Sequence, residues 1–229
     1  MHNPHDIEQG LPETVSLLDK LRMAIYHGEL GPNQRLVENE LAARYDTSRG
    51  AVREALLQLE HEGLIIRPRN RSASVRPVTP EEAIEITEVR AVIEGLCAAK
   101  AAALATEADH EELRALTREM AAAVKRGDML TDSRISDLMH AKIRAIGRQQ
   151  SASRILERLR YQDVRYQFHV SLLPGRLAQG ASEHYGIIEA VIAGDPVAAE
   201  QLTRDHFLSV IAALRQLEEA KAQHSGIAL

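Results

Sequence analysis

The chain has one cysteine, no tryptophan, and aromatic residues at only 3% of its 229 positions. A lone thiol, Cys97, cannot close an intramolecular disulfide, which fits a reducing compartment; set in an apolar helical stretch, it reads as a buried structural group. No apolar run approaches the length needed to cross a bilayer, and the first residues lack the basic-then-apolar order of a secretion signal. A soluble, cytoplasmic protein with no membrane partner is therefore expected. Net basic charge is missing too: the formal charge is -5, so bulk electrostatics alone does not predict a nucleic-acid partner. With so few aromatics, the 45% hydrophobic content rests on Ala, Leu, Val and Ile, the composition of a helical core. The length suits two modest domains or one large one.

What is present concentrates between Arg35 and Arg76. The run Leu36-Val37-Glu38-Asn39-Glu40-Leu41-Ala42 predicts a short helix with Leu36, Leu41 and Ala42 turned inward, broken at Asp46-Thr47. Ser48 suits an N-cap, because its hydroxyl can accept from an orphan backbone N–H. Val52, Ala55, Leu56 and Leu59 follow at i, i+3, i+4, i+7, the stripe of a second helix whose other face shows Arg49, Gly50 and Arg53. Two short helices about a tight turn, with arginines opening the second, describe a helix-turn-helix. Gly63 ends that helix. Leu64-Ile65-Ile66 and Ser72-Ala73-Ser74-Val75-Arg76 then pair as a hairpin around the polar tip Arg67-Pro68-Arg69-Asn70-Arg71, a wing suited to phosphates or a minor groove. From Arg44 to Arg76 seven arginines face four acids, so the basic excess is local. On spacing alone, Arg49 and Arg53 equally suit a solvated helix face.

This segment resembles the winged-helix domain of GntR-type bacterial transcription regulators. The resemblance is carried by Ile25-Tyr26-His27-Gly28-Glu29-Leu30-Gly31-Pro32, Arg35-Leu36, Glu40-Leu41-Ala42, Ser48-Arg49, Val52-Arg53-Glu54-Ala55-Leu56, Leu59-Glu60 and Glu62-Gly63-Leu64. It implies double-stranded DNA as partner, with Asn39, Ser48, Arg49, Arg53, Arg69 and Asn70 at the contact positions. Two places depart from the family pattern: Asn33 stands where a glycine is usual after the proline, and Gly50 replaces a larger polar residue, leaving base preference open at that point.

Taken in order, residues 1–13 are polar and read as a flexible arm, residues 14–77 as the DNA-binding domain with a first helix over 14–27, and residues 78–229 as a helical domain. Thr79 with Pro80 and Glu82 forms a helix-start pattern. Breaks at Gly127-Asp128, near Gly147, at Pro174-Gly175 and at Gly194-Asp195-Pro196 divide the remainder into helices over 80–105, 107–126, 132–147, 151–172, 181–193 and 196–222. The fold class is thus mostly α: a winged helix-turn-helix with a small β-hairpin wing, followed by an all-α antiparallel bundle.

His140, His184 and His206 fall on three predicted helices, and Asp137 lies one turn before His140. An acid and three imidazoles can ligate a divalent transition metal. Among ten histidines, however, three scattered ones are ordinarily surface or core residues. The helical part also resembles the FCD domain of FadR-like regulators, through Glu88-Val89-Arg90-Ala91-Val92-Ile93-Glu94, Leu138-Met139-His140, Glu183-His184 with Ile187-Ile188, Gly194-Asp195 with Ala198-Ala199-Glu200, and Arg204 with His206. That resemblance implies a metal (zinc, nickel or manganese type) on His140, His184 and His206. The family's acid usually lies four residues before the first histidine, where this chain has Ser136; Asp137 is three before, so either Asp137 or water completes the set. A small carboxylate effector would then meet the metal, with Arg90 or Arg165 holding its other end.

The leading expectation is a repressor acting as a homodimer on a palindromic operator under control of that effector. Two alternatives stand beside it: a metal-dependent hydrolytic enzyme carrying a DNA-binding head, and an architectural DNA-binder whose bundle only dimerises.

Overall fold

The computed structural model describes residues 16–26, 28–68, 71–171 and 173–225, with side chains except those of 26, 160–169, 171 and 221–225. The proposed arm 1–13, the wing-tip residues Arg69 and Asn70, and the side chain of Arg165 lie outside the described residues. Contacts divide the chain between Pro77 and Val78 into two compact units.

In the first unit the helices are α1 (Leu17–Tyr26), α2 (Glu38–Arg44) and α3 (Arg49–His61). The Ser48 hydroxyl caps α3 by accepting from the Ala51 N–H at 3.2 Å. Val52, Ala55, Leu56 and Leu59 are all buried, and α3 packs on both α1 and α2. Gly63 follows the helix end at φ 75°, a conformation that costs glycine little. Strands β1 (Arg35–Leu36), β2 (Ile65–Ile66) and β3 (Ala73–Val75) form an antiparallel sheet in the order β1-β3-β2. Ile65 sits opposite Val75, and Leu36 opposite Ala73.

Strand β1 departs from the sequence expectation. Leu36 belongs to it rather than to the helix before the turn and is 3% exposed, while the following Val37 is the extended N-cap of α2. A two-residue strand is too short to show an alternation. The hairpin is therefore the larger part of a three-stranded sheet. Asn33 has φ 61°, the left-handed region that asparagine tolerates better than other side chains, so it can stand where a glycine is usual.

The second unit contains α4 (Pro80–Leu104), α5 (Glu107–Arg126), α6 (Met129–Ile146), α7 (Gln150–Ser171), α8 (Arg176–Ile192) and α9 (Pro196–Ser225). Their ends follow from local chemistry. Thr79 caps α4, Thr106 and Asp109 form a reciprocal capping box on α5, and Gly127 closes α5 at φ 66°. Asp128 caps α6 through the Thr131 N–H, which starts that helix at Met129 rather than at 132. Helix α8 likewise begins at Arg176, after the left-handed Gly175, rather than at 181. The core combines Ala98, Leu113, Met139, Ile143, Ile187 and Val191 from α4, α5, α6 and α8. At the end of α6, a Cβ on Gly147 would lie 2.7 Å from the Cys97 carbonyl oxygen, so this approach to α4 admits only glycine. Cys97 is fully buried, and burial pushes its thiol up to about 11.

Candidate functional site

The exposed start of α3 carries Arg49 and Arg53, with Asn39 exposed on α2. Arg53 is not loose. Its Nε donates to Glu38 Oε1 at 3.3 Å and its Nη2 to Glu38 Oε2 at 3.0 Å, a forked pair across the α2–α3 turn. This pairing lowers the Glu38 carboxyl and raises the Arg53 guanidinium, each chiefly through the shared hydrogen bonds. Behind this face, Glu62 holds Arg22 of α1. Near the wing, Arg67 lies 3.8 Å from Glu60.

The second candidate site lies inside the helical unit. His140 comes from α6, His184 from α8 and His206 from α9; they are 9%, 6% and 7% exposed. One ligand atom from each lies within 4.8 Å of the others. The ring centroids of His184 and His206 are 4.5 Å apart, and His140 stands 5.3 Å and 5.7 Å from them. Each position continues a buried stripe: His140 with Ile143, His184 with Ile187 and Ile188, His206 with Thr203 and Phe207. Helical periodicity thus turns all three imidazoles inward.

Asp137 is outside this group. Residues three and four before His140 flank it on opposite sides of the helix, by about 60° and about 40°. The α8 imidazole lies on the Ser136 side, with the Ser136 hydroxyl 3.3 Å from His184 Nδ1. On α6 it is therefore a serine, not an acid, that faces His184. Asp132, one turn further back, also stays outside; burial pushes its carboxyl up to about 6, and its Oδ1 has no hydrogen-bond partner.

Two carboxylates and three guanidinium groups support the imidazoles. Glu183 Oε2 meets His206 Nδ1 at 2.8 Å, while Glu183 also accepts from Arg176, Ser209 and Gln179. Burial raises this carboxyl, but the hydrogen bonds from His206, Ser209 and Arg176 outweigh it and leave it at about 2. Glu94 of α4 accepts from Arg144 Nη1 at 2.9 Å and lies 3.9 Å from His140 Nδ1. Arg90 stands 4.0 Å from Glu94 and 5.0 Å over the Phe207 ring. Arg90 is thus buried beside the histidines. The sequence singles out neither Arg144 nor Arg176, since a buried arginine has no periodic mark of its own, and Glu183 enters only as the neighbour of His184 in the FCD-like motif.

Comparison with known proteins decides the family. A family model for the FCD domain matches residues 85–209, and that for bacterial regulatory proteins of the gntR family matches residues 14–75. The chain belongs to the GntR-family transcription regulators with an FCD domain. This GntR regulator is 27% identical over 202 residues to the HTH-type transcriptional repressor RspR of Escherichia coli K12, covering 87% of each chain. Its fold is shared with E. coli McbR/YncC at a TM-score of 0.75 and 24% identity, covering 88% of this chain and 98% of that one. A GntR protein from Rhodococcus sp. RHA1 gives a TM-score of 0.69, also at 24% identity, over 87% and 96% of the two chains. The family is one of transcription regulators and RspR is named a transcriptional repressor, which sets aside the hydrolytic-enzyme reading. No helix among the described residues is long and apolar enough to cross a membrane.

The GntR regulator's histidine group fits a transition metal on its own chemistry. His184 Nε2 is buried without any hydrogen-bond partner, a costly arrangement unless something ligates it. Burial, then the neighbouring imidazoles and arginines, lowers His140 and His184 well below the ordinary histidine range; burial also lowers His206, opposed by Glu183. Neutral imidazoles are the form that binds metal. Glu183 behind His206 is the kind of carboxylate that orients a ligating ring.

A pH dependence follows for the metal-free chain. Unfolded imidazoles take up protons near pH 6.5, whereas the three buried ones resist, so acid favours the unfolded state. Stability should be flat above about pH 7 and fall below about 6.5, with a limiting slope of roughly 1.4 kcal/mol per pH unit for each imidazole. Urea midpoints of chelator-treated protein check this, and an unchanged midpoint between pH 7.5 and 5.5 would refute neutral burial of these rings.

Proposed function

We propose that this regulator is a metal-assisted sensor of a small carboxylate. His140, His184 and His206 hold a divalent transition metal of the zinc, nickel or manganese type, and Arg90, with Arg165 as a second candidate, engages the effector. The observation that carries this reading is the buried, unpartnered His184 Nε2 inside a cluster of three buried imidazoles. Asp137, the acid first expected beside them, lies outside the group of side chains within 4.8 Å of one another. The regulator acts as a repressor, as the related RspR is named, on a palindromic operator bound by two copies of the chain. Supporting a second copy, α4 exposes Val89, Val92 and Leu96 at 48%, 51% and 42%, an i, i+3, i+7 stripe of apolar surface. Asn39, Ser48, Arg49 and Arg53 contact the DNA, with Arg69 and Asn70 contributing from the wing.

Elemental analysis of protein purified without chelator, joined to a thermal-shift screen of small carboxylates, tests the sensor. The expected result is about one metal per chain and an acid that both stabilises the protein and alters operator affinity. Absence of metal would return the histidines to an ordinary core role and favour a bundle that only dimerises.

The DNA face has its own test. Arg53→Ala should weaken operator binding roughly ten- to a hundred-fold if Arg53 reads a base edge, or reduce the salt slope by about one unit if it meets a phosphate. Unchanged affinity and slope in a gel-shift titration would remove Arg53 from the interface.

A further inference from the structure

The pair formed by Glu38 and Arg53 is too exposed to matter for stability. The two side chains keep 26% and 59% of their surface, and an ion pair in that setting contributes little to folding. Its geometry is nonetheless well defined. Glu38 opens α2 after the N-cap Val37, and Arg53 lies on the second turn of α3, so the pair bridges both elements of the helix-turn-helix. Arg49 and Arg67 also draw on this carboxylate, but less than the hydrogen bonds from Arg53, which hold it ionised.

Which atoms are used decides what remains. A guanidinium carries N–H donors along two edges. The edge formed by Nε and Nη2 goes to the Glu38 oxygens, at 3.3 Å and 3.0 Å. That leaves the edge formed by Nη1 and the second Nη2 hydrogen, from which no described residue accepts. Two parallel donors of this kind match the O6 and N7 acceptors that guanine shows in the major groove. Gly50, one turn before Arg53 on the same face, has no side chain to compete for the approach. A Cβ added there would stand 3.8 Å from the Ser48 hydroxyl oxygen, in ordinary contact, so the fold itself does not demand glycine.

We propose that Arg53 reads a guanine of the operator through this second edge, and that Glu38 is its positioning residue, fixing which edge meets the DNA. The long arginine side chain is then ordered before DNA arrives, and binding does not carry that entropy. Glu38 also restrains the wrong contact. Without it, Arg53 would be released to pair with a phosphate, which strengthens binding to any sequence alike. The carboxylate thus raises selectivity by steering one arginine from backbone to base. This rests on the reading above that Arg53 contacts DNA, and specifies what that contact recognises.

The probe comes from a pool of duplexes with a randomised core, enriched on the full-length wild type and sequenced. The best-enriched duplex is then compared with a scrambled version of it. Gel-shift titrations over a range of salt measure both for the wild type, Glu38→Gln, Arg53→Ala and the double variant. Glu38→Gln should reduce the preference for the enriched duplex by roughly ten-fold, the scale of one bidentate base contact. Its salt slope on the scrambled duplex should steepen by about one unit as Arg53 turns to a phosphate. Enrichment repeated on Glu38→Gln and on Arg53→Ala should relax one shared position, a guanine for the wild type. In the Arg53→Ala background, Glu38→Gln should change the preference by less than about two-fold, because the carboxylate then has nothing to position. Coincident thermal unfolding with the wild type establishes that each variant is folded. Unchanged affinity of Arg53→Ala for both duplexes removes the contact and this proposal with it. An equal loss on both duplexes, or a relaxed position that is not guanine, leaves Arg53 on the DNA and overturns the base assignment. Full preference in Glu38→Gln, where Arg53→Ala has lost it, overturns the positioning role alone.

Discussion

Replacing Arg144 with alanine should destabilise the helical unit by about 3–5 kcal/mol, the range for breaking a buried pair by removing one partner. Arg144 is 7% exposed, and its Nη1 donates at 2.9 Å to Glu94, which is 2% exposed. Truncation leaves the buried carboxylate in place without its shorter described arginine contact, the one to Arg90 being 4.0 Å. The cost is thus mainly that of a poorly neutralised buried anion, not of the lost attraction. The double variant Glu94→Leu/Arg144→Met removes both charges and should recover most of the loss. Urea unfolding of the two variants and the wild type, all in chelator, separates these terms. A loss below about 1 kcal/mol in Arg144→Ala would mean that the pair is solvated in solution.

This pair also shows where sequence reading stops. Local chemistry was legible wherever its partner lies within one helical turn. Ser48 capping α3, Thr79 capping α4 and the buried stripe Val52, Ala55, Leu56 and Leu59 all depend on spacings of three to seven residues. Glu94 and Arg144 are fifty residues apart, and no periodic signal joins them. The histidines make the same point. The stripes of α6, α8 and α9 can place each imidazole inward, but their convergence on one spot depends on how the helices pack. It is the FCD resemblance, not spacing, that groups the three in sequence. The same resemblance pointed to an acid near His140, and the only candidate in sequence was Asp137. A difference of one residue puts that side chain on the other flank of α6, so Ser136 faces His184. Strand β1 escaped for a third reason: two residues carry no alternation, and Leu36 is as apolar in a strand as in a helix.

His184→Ala should lower the affinity for zinc by at least roughly a hundred-fold, more than is usual for loss of a supporting hydrogen bond behind a ligand. Zinc added at a hundred times its dissociation constant stabilises a folded chain by about 2.7 kcal/mol. The wild type should show that shift, and His184→Ala should show almost none. The metal-free variant should differ little from the metal-free wild type, for two opposing reasons. Truncation leaves a small cavity beside Ile187 and Ile188, which destabilises. It also removes a buried ring nitrogen that has no partner, which stabilises. Helical circular dichroism should therefore stay near that of the wild type, so that loss of metal cannot be ascribed to unfolding. His110→Ala supplies the contrast: His110 lies on α5 beside Glu107 at 3.3 Å, outside the cluster, and its removal should leave the zinc shift whole. Equal zinc shifts in the two variants would exclude His184 as a ligand, and its unpartnered nitrogen would then need a bound water instead.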